Sequence, residues 1–144
     1  MKEKTVLGIP DSGWVNITIG DFNCTASYIT NVPFDIVNNS ILSLKEEMPF
    51  CLYLHLEAYG EVNIYSELKT YIIHENNKTD FYSFDISKEQ IISSFIEQIK
   101  DNITEWAMWE DFEDEDREEI ENNKRELLEK IETIKDLLKQ KQDN

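Results

Sequence analysis

The side chains that could do chemistry are few, and their spacing does not suit it. Cys24, Cys51, His55 and His74 supply the thiols and imidazoles, and no CxxC or HxxxH spacing gathers them as zinc requires. Cys51 and His55 fall on one face of an expected strand. Four residues of strand separate them by roughly 13 Å, beyond proton transfer or shared ligation. His55 and His74, isolated on strands, read as half-buried structural histidines. The four glycines, Gly8, Gly13, Gly20 and Gly60, make neither a phosphate-cradling loop nor a nucleophile elbow. Carboxylates abound, but acid–base work needs a pair whose surroundings drive their pKa values apart. The run from Asp111 to Asp116 lacks the glycine and closing glutamate of a calcium loop. It reads first as a solvated charge run. No catalytic residue, metal or organic cofactor is expected, and the chain is read as a binding protein rather than an enzyme.

The charge balance says what it would bind. Thirty acidic residues stand against fourteen basic ones, for a formal net charge of −16. Such a charge repels nucleic acid and anionic membrane. It attracts a basic protein and speeds the encounter. A moderate net charge already serves solubility, so the excess points to a partner. No apolar run is long enough to cross a bilayer. Val6-Leu7-Gly8-Ile9 is too short for the core of an export signal, so the expected location is the cytoplasm, with Cys24 and Cys51 reduced. The 144 residues suit one domain, and a 40% hydrophobic content excludes a disordered chain.

The elements that must position these residues follow from pattern. Residues 14–28 predict a hairpin about Gly20-Asp21, pairing Ile19 with Phe22, Ile17 with Cys24 and Val15 with Ala26 on one apolar face. Residues 32–45 predict a helix with Pro33 in its first turn. Residues 50–66 predict a second hairpin. A three-residue loop, Ala58-Tyr59-Gly60, would pair Leu56 with Val62 and Leu54 with Ile64, with Gly60 left-handed beside a bulge. Its outer face would then set Tyr53 opposite Tyr65 and His55 opposite Asn63. Residues 68–74 and 81–86 predict two further strands around Asn76-Asn77-Lys78, apolar enough on both faces to be covered on both. Ser87 and Gln90 fit a capping box, opening a helix expected to reach Trp109 and to measure roughly 33 Å. A last helix, residues 118–141, carries a narrow stripe of Ile120, Leu127, Ile131, Ile134 and Leu138. The expected fold is α+β: a mostly antiparallel sheet of five or six strands, helices packed on one face, and a long C-terminal helix. Residues 1–109 form its core domain. Residues 110–144 form an acidic turn and C-terminal helix packed on the same domain.

Residues 110–119 hold eight carboxylates and one cation, Arg117, and so carry −7 of the net −16. The preferred partner surface is therefore this acidic turn: Asp111, Glu113, Asp114, Glu115 and Asp116 steer, while Trp109 and Phe112 anchor. Trp106 continues the apolar helix face and reads as core. The second choice is the outer sheet face with Tyr53, His55 and Tyr65.

Residues 13–22, GWVNITIGDF, with Ala26-Ser27-Tyr28, Val32-Pro33-Phe34-Asp35 and Glu105-Trp106-Ala107-Met108-Trp109, resemble a group of small acidic bacterial proteins, some of which look like immunity proteins of polymorphic toxin systems. The resemblance spans residues 13–109, and its motifs are structural rather than catalytic. It implies an inhibitor that neutralises a basic protein such as a nuclease toxin. An acidic nucleic-acid mimic, and an adaptor dimerising through the last helix, are the other readings. The partner is expected to be a basic protein, not nucleic acid or membrane, and the chain a monomer or weak homodimer.

Overall fold

The computed structural model describes residues 4–110 and 117–142. Its strands are β1 (Thr5–Leu7), β2 (Val15–Ile19), β3 (Phe22–Ala26), β4 (Phe50–His55), β5 (Glu61–Ser66), β6 (Thr70–Asn76) and β7 (Lys78–Phe84). Its helices are α1 (Val32–Glu46), α2 (Lys88–Asp101), α3 (Ile103–Ala107) and α4 (Arg117–Gln142). The fold is α+β and antiparallel. The strands number seven among the described residues, not five or six. They form two sheets, ordered β1-β2-β3 and β4-β5-β6-β7.

The first hairpin has the expected register, Val15↔Ala26, Ile17↔Cys24 and Ile19↔Phe22. Turn chemistry and binary pattern point the same way there, which leaves one register. β1 pairs with β2, a pairing that pattern does not reveal, because three residues are too few to show alternation. Its outer edge is closed by a side chain. Leu7 N–H donates to Gln98 Oε1 at 2.8 Å, and Gln98 Nε2 donates to the Thr5 carbonyl at 3.0 Å. The Gln98 amide thus stands where a neighbouring strand would.

The second hairpin differs from expectation by two residues. The observed pairs are Leu54↔Val62, Tyr53↔Asn63 and His55↔Glu61. A 3-10 turn over Glu57–Tyr59 lengthens the connection to five residues. A shift of two keeps every side chain on its face, so the hydrophobic pattern fits both registers equally. Gly60 does take a positive φ, 88°, but with ψ −141°, outside the left-handed helical region. The β6–β7 turn falls at Asn77, φ 56°, with Asn76 opposite Lys78. That hairpin is not covered on both sides, since Tyr71 and Phe81 are exposed.

Ser87 caps α2 through the expected box: its Oγ accepts from Gln90 N–H, and Gln90 Oε1 accepts from Ser87 N–H. The helix stops at Asp101, after 14 residues, rather than running to Trp109. Asn102 (φ −127°, ψ 43°) breaks it, and α3 resumes at Ile103. The apolar spacing survives the break: Ile99 and Trp106 are buried and Ile103 half-buried, so periodicity alone hides it. α4 lays Leu127, Ile131 and Ile134 into the same core cluster as Ile36 and Val37 of α1 and Phe95 and Ile99 of α2. Three of the five residues of its apolar stripe are therefore buried within its own chain.

Candidate protein-binding face

The inner face of the four-stranded sheet is part of the core. Leu52, Leu54, Val62, Ile64 and Ile72 are buried in the common cluster. Toward β6 and β7 the first hairpin covers it. Phe22 lies 5.0 Å from the Tyr82 ring and 6.1 Å from the His74 ring, centroid to centroid. The outer face is another matter. Strand alternation and the observed registers set its side chains in three rungs. The first rung runs Cys51, Tyr65, Tyr71, Ser83; the second Tyr53, Asn63, Ile73, Phe81; the third His55, Glu61, Glu75, Thr79. Tyr53, Tyr65, Tyr71 and Phe81 are all exposed, Phe81 to 74%. Large aromatic side chains grouped on one uncovered face are the informative departure from ordinary surface, where apolar residues are scattered singly.

The third rung gives this face an acidic end. Glu57, Glu61 and Glu75 line a wide cleft of about 480 Å³ there, with His55 and Lys78 on its walls. Tyr53 Oη donates to Glu61 Oε2 at 2.7 Å, and that bond, before burial, raises the tyrosine pKa. Aromatic rows and carboxylates are thus locked together across β4 and β5.

His55 and Ser27 form a pair that sequence spacing does not bring together. Ser27 Oγ lies 3.2 Å from His55 Nδ1, and Glu57 N–H donates to the same nitrogen at 3.2 Å. Glu57 N–H takes Nδ1 as its acceptor, and the direction of the Ser27–His55 bond follows the imidazole tautomer. This resembles a nucleophile and its base, but Ser27 is fully buried and no substrate could reach its oxygen. Ser27 N–H also donates to the His55 carbonyl at 2.9 Å, so the pair staples the end of β3 to the end of β4. Cys24 and Cys51 are free thiols. Burial pushes the Cys24 thiol up to about 12, which keeps it protonated and unreactive at neutral pH. Burial, then the Glu67 carboxylate, raises Cys51 as well. Among the described residues no three His, Cys, Asp or Glu side chains converge as metal ligands would.

The residues of the acidic-turn surface, preferred on charge and pattern, divide in two. Asp111, Phe112, Glu113, Asp114, Glu115 and Asp116 lie outside the described residues. Trp109 is described, and it is not at the surface. Its ring is 2% exposed and stacks on Trp106 at 5.9 Å, and its Nε1 donates to the Thr30 carbonyl at 2.8 Å. Trp109 is therefore a core residue rather than an exposed anchor. The second-choice residues Tyr53, His55 and Tyr65 do share one face, open at Tyr53 and Tyr65. Tyr71 and Phe81 belong to that face too. Pattern alone does not single them out, because β6 and β7 carry apolar residues on both faces.

One electrostatic detail lies on α1. Burial, and then the nearby Glu110 carboxylate, raise the Asp35 pKa at the start of α1. An acid raised in the folded state contributes stability that is fully present below its unfolded pKa and lost as pH climbs through its folded one. Asp35→Asn should therefore raise the melting temperature at neutral pH and change little near about pH 3, where the unfolded carboxyl is also protonated. Calorimetry in the two buffers checks this, and an unchanged or lowered melting temperature at neutral pH contradicts it.

No protein-family model, curated protein or solved structure matches this chain.

Proposed function

We propose that this chain is a protein-binding inhibitor that neutralises a basic protein, such as a nuclease toxin. The observation that carries the reading is the uncovered sheet face with Tyr53, Tyr65, Tyr71 and Phe81 exposed together. Tyrosine and phenylalanine supply large contact area at small entropic cost, and such rings hold many interfaces together. The carboxylates of Glu57, Glu61 and Glu75 at one end of the face, within a chain of net charge −16, choose the sign of the partner. Nucleic acid, which also stacks on aromatic sheet faces, is repelled by the same charge.

The test begins with capture of the partner on the immobilised chain from cells that produce it, followed by surface plasmon resonance across a salt series. The partner should be basic, and its association should slow by roughly tenfold or more as salt rises from low to physiological. Tyr71→Asp with Phe81→Asp should weaken the complex by about a hundredfold, with the wild-type melting temperature kept. In a second arm, Glu113, Asp114, Glu115 and Asp116 are reversed to lysine. If that slows association while the sheet variant binds normally, the acidic turn is the binding surface instead. A partner without excess positive charge defeats both versions.

A further inference from the structure

We infer that the partner pairs an extended basic segment of its own chain along the outer edge of β7, adding a fifth strand to the four-stranded sheet. The inference deepens the reading above and rests on the partner being basic. It starts from the backbone, not the aromatic face. The four-stranded sheet has two edges. At β4 the edge is occupied: Asn39 Nδ2 of α1 donates to the Cys51 carbonyl at 2.9 Å, and Ser27 N–H donates to the His55 carbonyl. The outer edge of β1 in the other sheet is closed by Gln98. The edge at β7 differs. Among the described residues, its backbone pairs with β6 and makes no further backbone–backbone hydrogen bond.

Apart from the Lys78–Asp80 pair, β7 lacks the devices that usually blunt an edge. Its seven residues, Lys78–Phe84, contain no proline or glycine, and they pair with β6 in unbroken register without a bulge. Seven residues give roughly 23 Å of edge. The one lysine stands at its first residue, with Nζ 3.8 Å from Asp80 Oδ1. Phe81, at the middle of the strand, is 74% exposed.

Charge decides between occupants. A second copy of this chain could offer its own β7, but two bodies of net charge −16 repel. From Thr70 to Asp85 three carboxylates face one lysine, so the local sign agrees with the global one. The edge is guarded against itself by charge and stays open to a strand of the opposite sign. Strand pairing also fixes the pattern of the guest. Residues directly opposite share a face, so an apolar side chain belongs beside Phe81 and a basic one beside Asp80. An alternating basic–apolar segment meets both needs, and its main chain supplies affinity as other strand additions do.

The experiment uses the wild-type protein and synthetic octapeptides: Lys-Val repeated four times, the same peptide N-methylated at every valine or at every lysine, and Thr-Val repeated four times. Binding is read by calorimetry, and hydrogen exchange is followed amide by amide. The basic peptide should bind and slow exchange at the β7 amides that point away from β6. One of the two methylated forms, the one whose lost N–H groups face β7, should bind at least about tenfold more weakly, with charge and side chains unchanged. If both methylated forms bind like the parent and β7 exchange is unaffected, edge pairing is wrong while the basic-partner reading survives as a contact of the sheet face. Should Thr-Val protect β7 as well as Lys-Val does, the edge pairs without regard to charge and the basic-partner reading is what fails. If no peptide slows exchange at β7, the inference is overturned.

Discussion

Truncating Trp109 to alanine should cost about 3–5 kcal/mol of folding stability, the usual range for deleting a large buried ring. Two terms make up the loss. The ring, 2% exposed, leaves a void beside Trp106, on which it stacks at 5.9 Å. The Thr30 carbonyl also loses the indole N–H that reaches it at 2.8 Å. That bond ties the chain just before α1 to the residues just after α3, so its loss loosens the corner where α1, α3 and α4 meet. Trp109→Phe separates the terms, since it keeps much of the ring and removes the donor. It should cost about 1–3 kcal/mol, close to the penalty for an unsatisfied buried carbonyl. Urea unfolding measures both. A loss below about 1 kcal/mol for the alanine variant would put Trp109 back among the exposed anchors. The dissociation rate of the bound partner should not change for either variant under conditions where it stays folded.

Trp109 also marks how far pattern reaches. It enters the acidic run, and charge density there suggests an exposed ring. What the sequence does not display is the neighbour 79 residues away, Thr30, whose carbonyl gives the indole a reason to turn inward. The first hairpin shows the opposite case. Gly20-Asp21 and the alternation on either side specify the same pairing, and the structure has it residue for residue. In the second hairpin the apolar alternation specifies the faces but not the register, because registers two apart place identical side chains inward. Hence the common outer face of Tyr53, His55 and Tyr65 is legible from alternation while their cross-strand partners are not. Ser27 and His55 tie the two sheets together and Gln98 closes the edge of β1, through long-range bonds of polar residues that leave no periodic trace. The openness of the candidate face is likewise a tertiary property. Nothing within β6 or β7 says whether a helix will cover Tyr71 and Phe81.

Gly60→Ala should be among the most damaging single substitutions in the chain, at about 3 kcal/mol or more. Gly60 holds φ 88° and ψ −141°, a region that residues with a Cβ scarcely enter. A Cβ built there would also come within 2.0 Å of the Glu75 carbonyl oxygen and 2.8 Å of Asn76 Cβ. The obstacle is backbone of β6, so it cannot swing aside as a side chain can. Relief requires β5 and β6 to part at the end of the sheet that carries Glu61 and Glu75. Gly20 is the internal control. Its φ is also positive, 59°, but there a Cβ meets the Phe84 ring at 2.5 Å. A ring can tilt, so Gly20→Ala should cost about 1–2 kcal/mol, chiefly the left-handed backbone penalty. Chemical unfolding of both variants gives the comparison, with the dependence on denaturant close to wild type in each. The ordering is the point at issue. If Gly20→Ala proves the worse, the β4–β5 connection can rearrange around a new Cβ. The acidic end of the binding face would then be an adaptable loop rather than a fixed rung of the sheet.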